Sequence, residues 1–265
     1  MTPSIHGQLS RRRLVALVTL PIVAGTGHRQ SVMAQTPEAS PSGDPDAVAL
    51  LQEAARAMAA LKTFHFESET TRGSSTILQG LELESIVGDV RRPMDFRTVI
   101  TAGLPFGSID VTVIGVDGRI WITDPLAEGE AWILLTDGTD QGSEAADITT
   151  LANPDALILD AVSVLQGARI AGQETIDGME TTRIEGQVDL AAAAAQAIGT
   201  PVALPSEVSA EPIDVSIWID EAKRIVEVEL AGPLLASESD DVVRVVSFSE
   251  FDEPVEIVPP ENAPR

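Results

Sequence analysis

The 265-residue chain has no cysteine and no tyrosine. Without thiols it forms no disulfide, no thiolate–metal centre and no cysteine nucleophile. Aromatic residues are only 3% of the chain, too few for stacking platforms that hold sugars or single-stranded nucleic acid. Basic residues are also scarce, 17 Lys and Arg against 41 Asp and Glu, for a formal net charge of −24. Phosphate backbones need Lys and Arg clusters, so nucleic acid is excluded as a partner. Electrostatic docking on anionic lipid is disfavoured for the same reason. Beyond residue 34 the only histidine is His65, in Phe64-His65-Phe66. With no Ser–His–Asp set and no nucleophile elbow, it reads as a surface or hydrogen-bonded strand residue rather than a catalyst.

What is present begins with an address. Ser10-Arg11-Arg12-Arg13-Leu14 is a basic start, 14–25 is an uncharged apolar run, and Val32-Met33-Ala34 precedes Gln35. Residues 1–34 therefore read as an export signal cleaved after Ala34. The apolar run is 12 residues long, whereas a bilayer needs roughly 20. The Arg pair fits a twin-arginine signal and an ordinary secretory one equally. Cleavage leaves 265 − 34 = 231 residues. The signal carries four Arg and no acid, so the exported charge is −24 − 4 = −28. Acidity of this kind serves solubility outside the cytoplasm. Apolar residues, 44% of the chain, are enough to build a core without disulfides.

Residues 35–45 read as a flexible tether and 46–258 as one domain, with 259–265 a disordered tail. Asp44-Pro45-Asp46 opens a helix, with Asp44 as N-cap and Val48, Leu51, Met58 and Leu61 at helical spacing. The period then changes to two, predicting strands over 64–71, 76–87, 94–101, 109–116, 119–123 and 131–135. Asp117-Gly118 marks a type I′ hairpin. The acidic stretch 137–150 is a loop. Its segment Asp137 to Glu144 is rich in oxygen ligands but lacks EF-hand spacing, so a solvated loop is the plainer reading and adventitious Ca²⁺ the alternative. No cofactor and no metal are expected. Asn153-Pro154-Asp155 opens a second helix, apolar on nearly every side from Ala156 to Leu165. Strands at 168–176 and 179–187 flank a second I′ signal, Asp177-Gly178. A third helix runs over 190–198, with five consecutive alanines from Ala191 to Ala195. Strands at 213–220, 224–230 and 242–251 follow. The total is about eleven strands and three helices, a mainly β (α+β) chain with an antiparallel meander.

Alternation gives each strand one apolar and one polar face. Ile213, Val215, Ile217 and Ile219 oppose Asp214, Ser216, Trp218 and Asp220. Val226, Val228 and Leu230 oppose Glu227 and Glu229, and Ile109, Val111 and Val113 oppose Asp110 and Thr112. Trp121 and Trp218 fall on the polar face, where they are covered locally by a loop or helix or form a contact surface. Three short helices must cover a large apolar sheet face. Either the space between them is a packed core, or it holds a ligand. Paired acids such as Glu82 and Glu84, or Asp240 and Asp241, are ordinary on so acidic a chain. Without aromatic sugar platforms they do not make a glycosidase, and the chain is not read as an enzyme.

The order of these elements resembles the LppX/LprAFG envelope lipoproteins, which share the fold of the LolA/LolB carriers. The resemblance rests on the first helix and six-strand meander, on Asn153-Pro154-Asp155-Ala156-Leu157-Ile158-Leu159, on the strands around Asp177-Gly178, on the short helix, and on three strands ending Phe251-Asp252-Glu253-Pro254-Val255. It implies a curved, half-open antiparallel β-barrel with helices on the concave side. It also implies an apolar cavity that holds acyl chains of a lipid, glycolipid or lipidated protein, with a membrane transporter or acceptor protein as a further partner. Val111, Val113, Leu157, Leu159, Val162, Leu165, Val215 and Ile217 are then the expected lining. A sensor domain of the same fold is the alternative, and it requires the signal helix to be retained. The family's lipobox cysteine is missing here, because the junction reads Met33-Ala34-Gln35. The expected location is the cell envelope or the medium.

Overall fold

A computed structural model describes residues 42–77, 81–125, 131–137, 162–190, 211–234 and 238–261, together with 127, 129, 152, 209 and 264. The first element is α1, Pro45–Ala60. Asp44 caps it by accepting the Asp46 N–H at 2.9 Å, and Pro45 fits the first turn because its missing N–H would have no partner there. Ala47, Leu51, Ala54 and Met58 are buried along one face. Two of these are alanine, which brings the helix backbone close to the sheet. The last turn has no basic residue of its own. Arg92 supplies the charge from elsewhere, donating to the carbonyls of Met58 and Leu61 where the helix dipole is negative.

The strands are β1 Thr63–Arg72, β2 Ser75–Ile77, β3 Leu81–Arg91, β4 Asp95–Leu104, β5 Gly107–Val116, β6 Arg119–Thr123, β7 Trp132–Thr136, β8 Gln166–Ile176, β9 Met179–Val188, β10 Ile213–Asp220, β11 Ile225–Ala231 and β12 Val243–Ser249. Eleven of them form one antiparallel path, β7-β6-β5-β4-β3-β1-β12-β11-β10-β9-β8, and β2 pairs with β3 beside it. The sheet is open and curved, mainly β as expected. Both Asp-Gly turns are of the expected kind. Asp117 and Gly118 have φ of 51° and 79°, and Asp177 and Gly178 have 49° and 82°, left-handed at both central positions.

Three expectations need correction. The strand expected over 76–87 is two strands, β2 and β3, paired so that Ile77 faces Leu81. The two strands are antiparallel, so the chain reverses between Ile77 and Leu81. Beyond 87, β3 continues through Gly88-Asp89, which resembles a turn in sequence. Gly88 is in fact a site of close approach. A Cβ there would stand 2.5 Å from Thr98 Oγ1 and 2.9 Å from the Phe66 ring, so only glycine lets the strands and ring meet. The third correction is in β11. The β10–β11 register slips between Trp218 and Ile219, so Ile225, not Val226, faces Ile219 and enters the main core. A bulge of this kind turns the alternation by one residue.

The core lies on one face of the sheet, here called the inner face. Phe64, Phe66, Ile86, Phe96 and Ile100 from one half join Ile184, Ile213, Val228 and Phe248 from the other, with the buried side of α1 against them. A smaller cluster lies on the outer face, where Ile114, Val116 and Trp121 pack under Ile257. The Trp121 indole N–H donates to the Pro264 carbonyl at 3.0 Å. Among the described residues, no helix is long and apolar enough to cross a membrane.

Candidate functional site

The inner face brings together residues that are far apart in sequence. Val113 from β5, Val215 and Ile217 from β10, and Val162 and Leu165 just ahead of β8 are all buried in the same cluster, and half-buried Val111 packs against it. Alternation explains the strand members. β5 and β10 lie in opposite halves of the sheet, and each turns its odd-numbered apolar residues inward. Val162 is within a helical turn, 162–164, and Leu165 N-terminal to β8 is wholly buried. Leu157 and Leu159 lie outside the described residues, as does the whole segment 153–161. So do the third helix beyond Leu190 and the acidic loop beyond Asp137.

The start of the domain is fixed beside this cluster. Ser42 N–H donates to the Leu165 carbonyl at 2.9 Å, and Ala168 N–H donates back to the Ser42 carbonyl at 2.7 Å. Gly43 forms a parallel bridge with Ala168. Thr98, fully buried on the inner side of β4, donates to the Ala152 carbonyl at 2.6 Å. A buried hydroxyl is thereby satisfied, and Ala152 is held to the sheet.

One end of the inner face carries a charge that the sequence did not single out. Arg244 alternates with Val246 and Phe248 on β12, so it points inward. Its guanidinium pairs with Glu238, and the two side chains are 8% and 1% exposed. Ser75 joins them. Its hydroxyl donates to Glu238 Oε1 at 2.8 Å and accepts from Arg244 Nη2 at 3.0 Å. The other Glu238 oxygen accepts the Leu234 N–H at 2.9 Å. Arg244 Nη1 is buried with no hydrogen-bond partner among the described residues. The neutralised pair adds no net charge to the apolar face, and it ties the 232–242 connection to β2 and β12.

The outer face is acidic and partly covered. Trp218 is buried there, not presented to a partner. The Arg183 guanidinium stands 5.4 Å over its ring, and its indole N–H donates to Glu174 Oε2 at 2.9 Å. Those contacts hold the Glu174 carboxyl below its ordinary range, the Trp218 hydrogen bond first and the Arg183 hydrogen bond second. Arg183 is raised in turn, chiefly by its hydrogen bond to Glu174. Glu227, cross-strand from Trp218, is pushed up by burial first and then by repulsion from Asp177, Glu229 and Glu174. A raised folded-state value means that the fold prefers Glu227 neutral. Its contribution is full below the ordinary carboxylate range and is lost as pH rises through the folded value. Glu227→Gln should therefore raise the melting temperature at neutral pH, and the gain should vanish below the ordinary carboxylate range. Thermal melts of the two proteins across pH 3–8 check this; a gain that does not change with pH would refute it.

His65 is a hydrogen-bonded strand residue. Its Nδ1 lies 2.8 Å from Asp89 Oδ1, and its Nε2 lies 3.5 Å from Glu67 Oε1. His65, Asp89 and Glu250 could together offer ligand atoms to a metal ion, all within 4.8 Å of one another. They sit on the outer face, away from the apolar cluster. Among the described residues, the inner face presents hydrophobic surface and one neutralised ion pair, which is suited to binding by desolvation.

Comparison with known proteins gives the same picture. The lipoarabinomannan carrier protein LprG of Mycobacterium tuberculosis is 28% identical over 256 residues, which covers 94% of this chain and 95% of the relative. The LprG of Mycobacterium bovis matches equally. Two crystal structures share the fold. LppX of M. tuberculosis has a TM-score of 0.54 at 20% identity and covers 82% of this chain and 100% of its own. LprF of M. bovis has 0.56 at 18%, covering 83% and 99%. The model of the LppX_LprAFG lipoprotein family matches residues 46–257, from the first turn of α1 to the Ile257 that covers Trp121, and the chain belongs to that family.

Proposed function

We propose that this protein is an extracytoplasmic lipid carrier that holds the acyl chains of a lipid, glycolipid or lipidated protein against the inner face of the sheet. The observation that carries the reading is the joining of Val113, Val162, Leu165, Val215 and Ile217 into one apolar cluster, in a family whose relatives include a lipoarabinomannan carrier. Val111, Leu157 and Leu159 complete the proposed lining. The driving force is desolvation. Each buried methylene contributes about 0.8 kcal/mol, so a sixteen-carbon chain gains on the order of 10 kcal/mol gross before the cost of association. Such binding is strong and chemically loose, selective for chain length and number over headgroup. Delivery to an acceptor or transporter then needs only a second apolar surface, and no covalent step.

The test is native mass spectrometry of exported protein purified without detergent, joined to uptake of a fluorescent fatty-acyl probe. Lipid adducts at one or two copies per chain are expected, together with a melting temperature that rises with probe concentration. Consistent absence of adducts, with no probe uptake, would sink the carrier reading.

A further inference from the structure

The β4–β5 hairpin has the make-up of a membrane wedge. Along β4 the inner face is set by Phe96, Thr98, Ile100 and Ala102, all buried. The next residue in that series, Leu104, is 40% exposed, and the turn after it carries Phe106 at 102%. Across the ladder, Val113, Val111 and Ile109 face Thr98, Ile100 and Ala102. Val113 is fully buried and Val111 and Ile109 only half-buried. One apolar track therefore runs from the core to the tip without interruption, losing cover as it goes.

Two further observations select the occupant. Residues 98–109 carry no charge, in a chain with a net charge of −24. The opposite side of the same hairpin is polar. Thr101 donates to Asp110 at 2.8 Å, and the Glu84 carboxylate oxygen lies 2.9 Å from where a Gly103 Cβ would stand. The tip also stands clear of its neighbours: on one side the ladder to β6 ends at Val113, facing Ile122, and on the other the ladder to β3 ends at Gly103, facing Glu82, which leaves 104–107 beyond both. A protein partner on so acidic a surface would be expected to engage charge. An uncharged tip with an exposed Phe and Leu, continuous with the apolar interior, instead fits the acyl region of a bilayer.

We propose that the tip Leu104-Pro105-Phe106-Gly107 inserts into the membrane surface, and that the track behind it is the path by which an acyl chain passes between bilayer and core. The inference rests on the carrier reading, and the experiment separates the two. Association is hydrophobic and needs no anionic lipid, which repels the acidic chain.

The exported wild-type protein and Phe106→Asp are compared for flotation with uncharged phosphatidylcholine vesicles, at low and high salt. Uptake of a fatty-acyl probe kept below its micelle concentration is measured alongside. Wild type should float at both salt concentrations. Phe106→Asp should lose about tenfold or more in partitioning, the scale of one buried aromatic side chain, and should bind the soluble probe as wild type does. Phe106→Trp adds a local reporter at a site where it cannot disturb the core: its emission should shift to the blue on adding vesicles, beyond any shift of wild type. Equal flotation of wild type and Phe106→Asp, or no blue shift with Phe106→Trp, would overturn the wedge. Flotation with intact Phe106 dependence but no probe uptake by either protein would leave the wedge standing and remove the carrier.

Discussion

Glu238→Ala is expected to cost about 3–5 kcal/mol of stability, the range for removing one partner of a buried ion pair. The variant keeps the Arg244 charge on a side chain that is 8% exposed, where Nη1 already lacks a hydrogen-bond partner among the described residues. It also strips an acceptor from Ser75 and from the Leu234 N–H. The loss follows from stranding a charge, so removing both charges should recover most of it. Glu238→Leu combined with Arg244→Met should lie within about 1–2 kcal/mol of wild type, because an apolar pair of similar volume often substitutes well for a buried ion pair. Urea denaturation of wild type, Glu238→Leu, Arg244→Met and the pair checks this as a double-mutant cycle, with Glu238→Ala measured alongside. If Glu238→Ala were as stable as wild type, the pair would contribute nothing, and the 232–242 connection would have to be held by other contacts.

Ile217→Asp should unfold the domain or come close to it. Ile217 is 1% exposed at the centre of the inner cluster. The change forfeits about 2–5 kcal/mol of packing and asks a carboxyl to stay neutral or to ionise without a partner. The sum approaches the whole stability of an ordinary domain, about 5–15 kcal/mol. Asp214→Asn, on the same strand but turned outward and exposed, should change the melting temperature little. Far-UV circular dichroism and thermal melts of the two variants decide the matter. A folded Ile217→Asp protein with ordinary stability would mean that water reaches the inner face.

Local physics makes much of this fold legible in the sequence. The Asp44-Pro45 cap, the two Asp-Gly turns and the alternating faces of β5 and β10 each depend on residues a few positions apart, and each matches the structure. Failures came where a distant partner overrides the local pattern. Gly88 looks like a turn, yet it is a strand residue, because Phe66 and Thr98 need its missing Cβ. Trp121 and Trp218 are on the outer face and covered there, which is one of the two outcomes that alternation leaves open, but the cover itself, Ile257 for one and Arg183 for the other, comes from no sequence neighbour. Val226 breaks step because a bulge intervenes. In the site, the faces of Val113, Val215 and Ile217 follow from alternation. The Arg244–Glu238–Ser75 group does not, since its members come from three separate segments. A lone Arg in an apolar-period strand, at the inward register of β12, was the one available signal for it.

The strand order has a consequence in time. β1, the first long strand to be made, lies between β3 and β12, and β12 is the last. Among the described residues, strand pairing joins the two halves of the sheet at that seam alone, which is fastened at one end by a hydrogen bond from the Lys62 N–H to Asp252 across 190 residues. A chain emerging end first, from the ribosome or from a secretion channel, can zip β3 to β7 onto β1 early, yet one edge of β1 must wait, unpaired and apolar on one side, until nearly the whole protein has emerged. Contacts of such long range are slow to form, and an exposed edge invites wrong pairing meanwhile. The protein thus spends its youth as half a sheet with an open flank, and a chaperone acting on the nascent chain would find its target at β1.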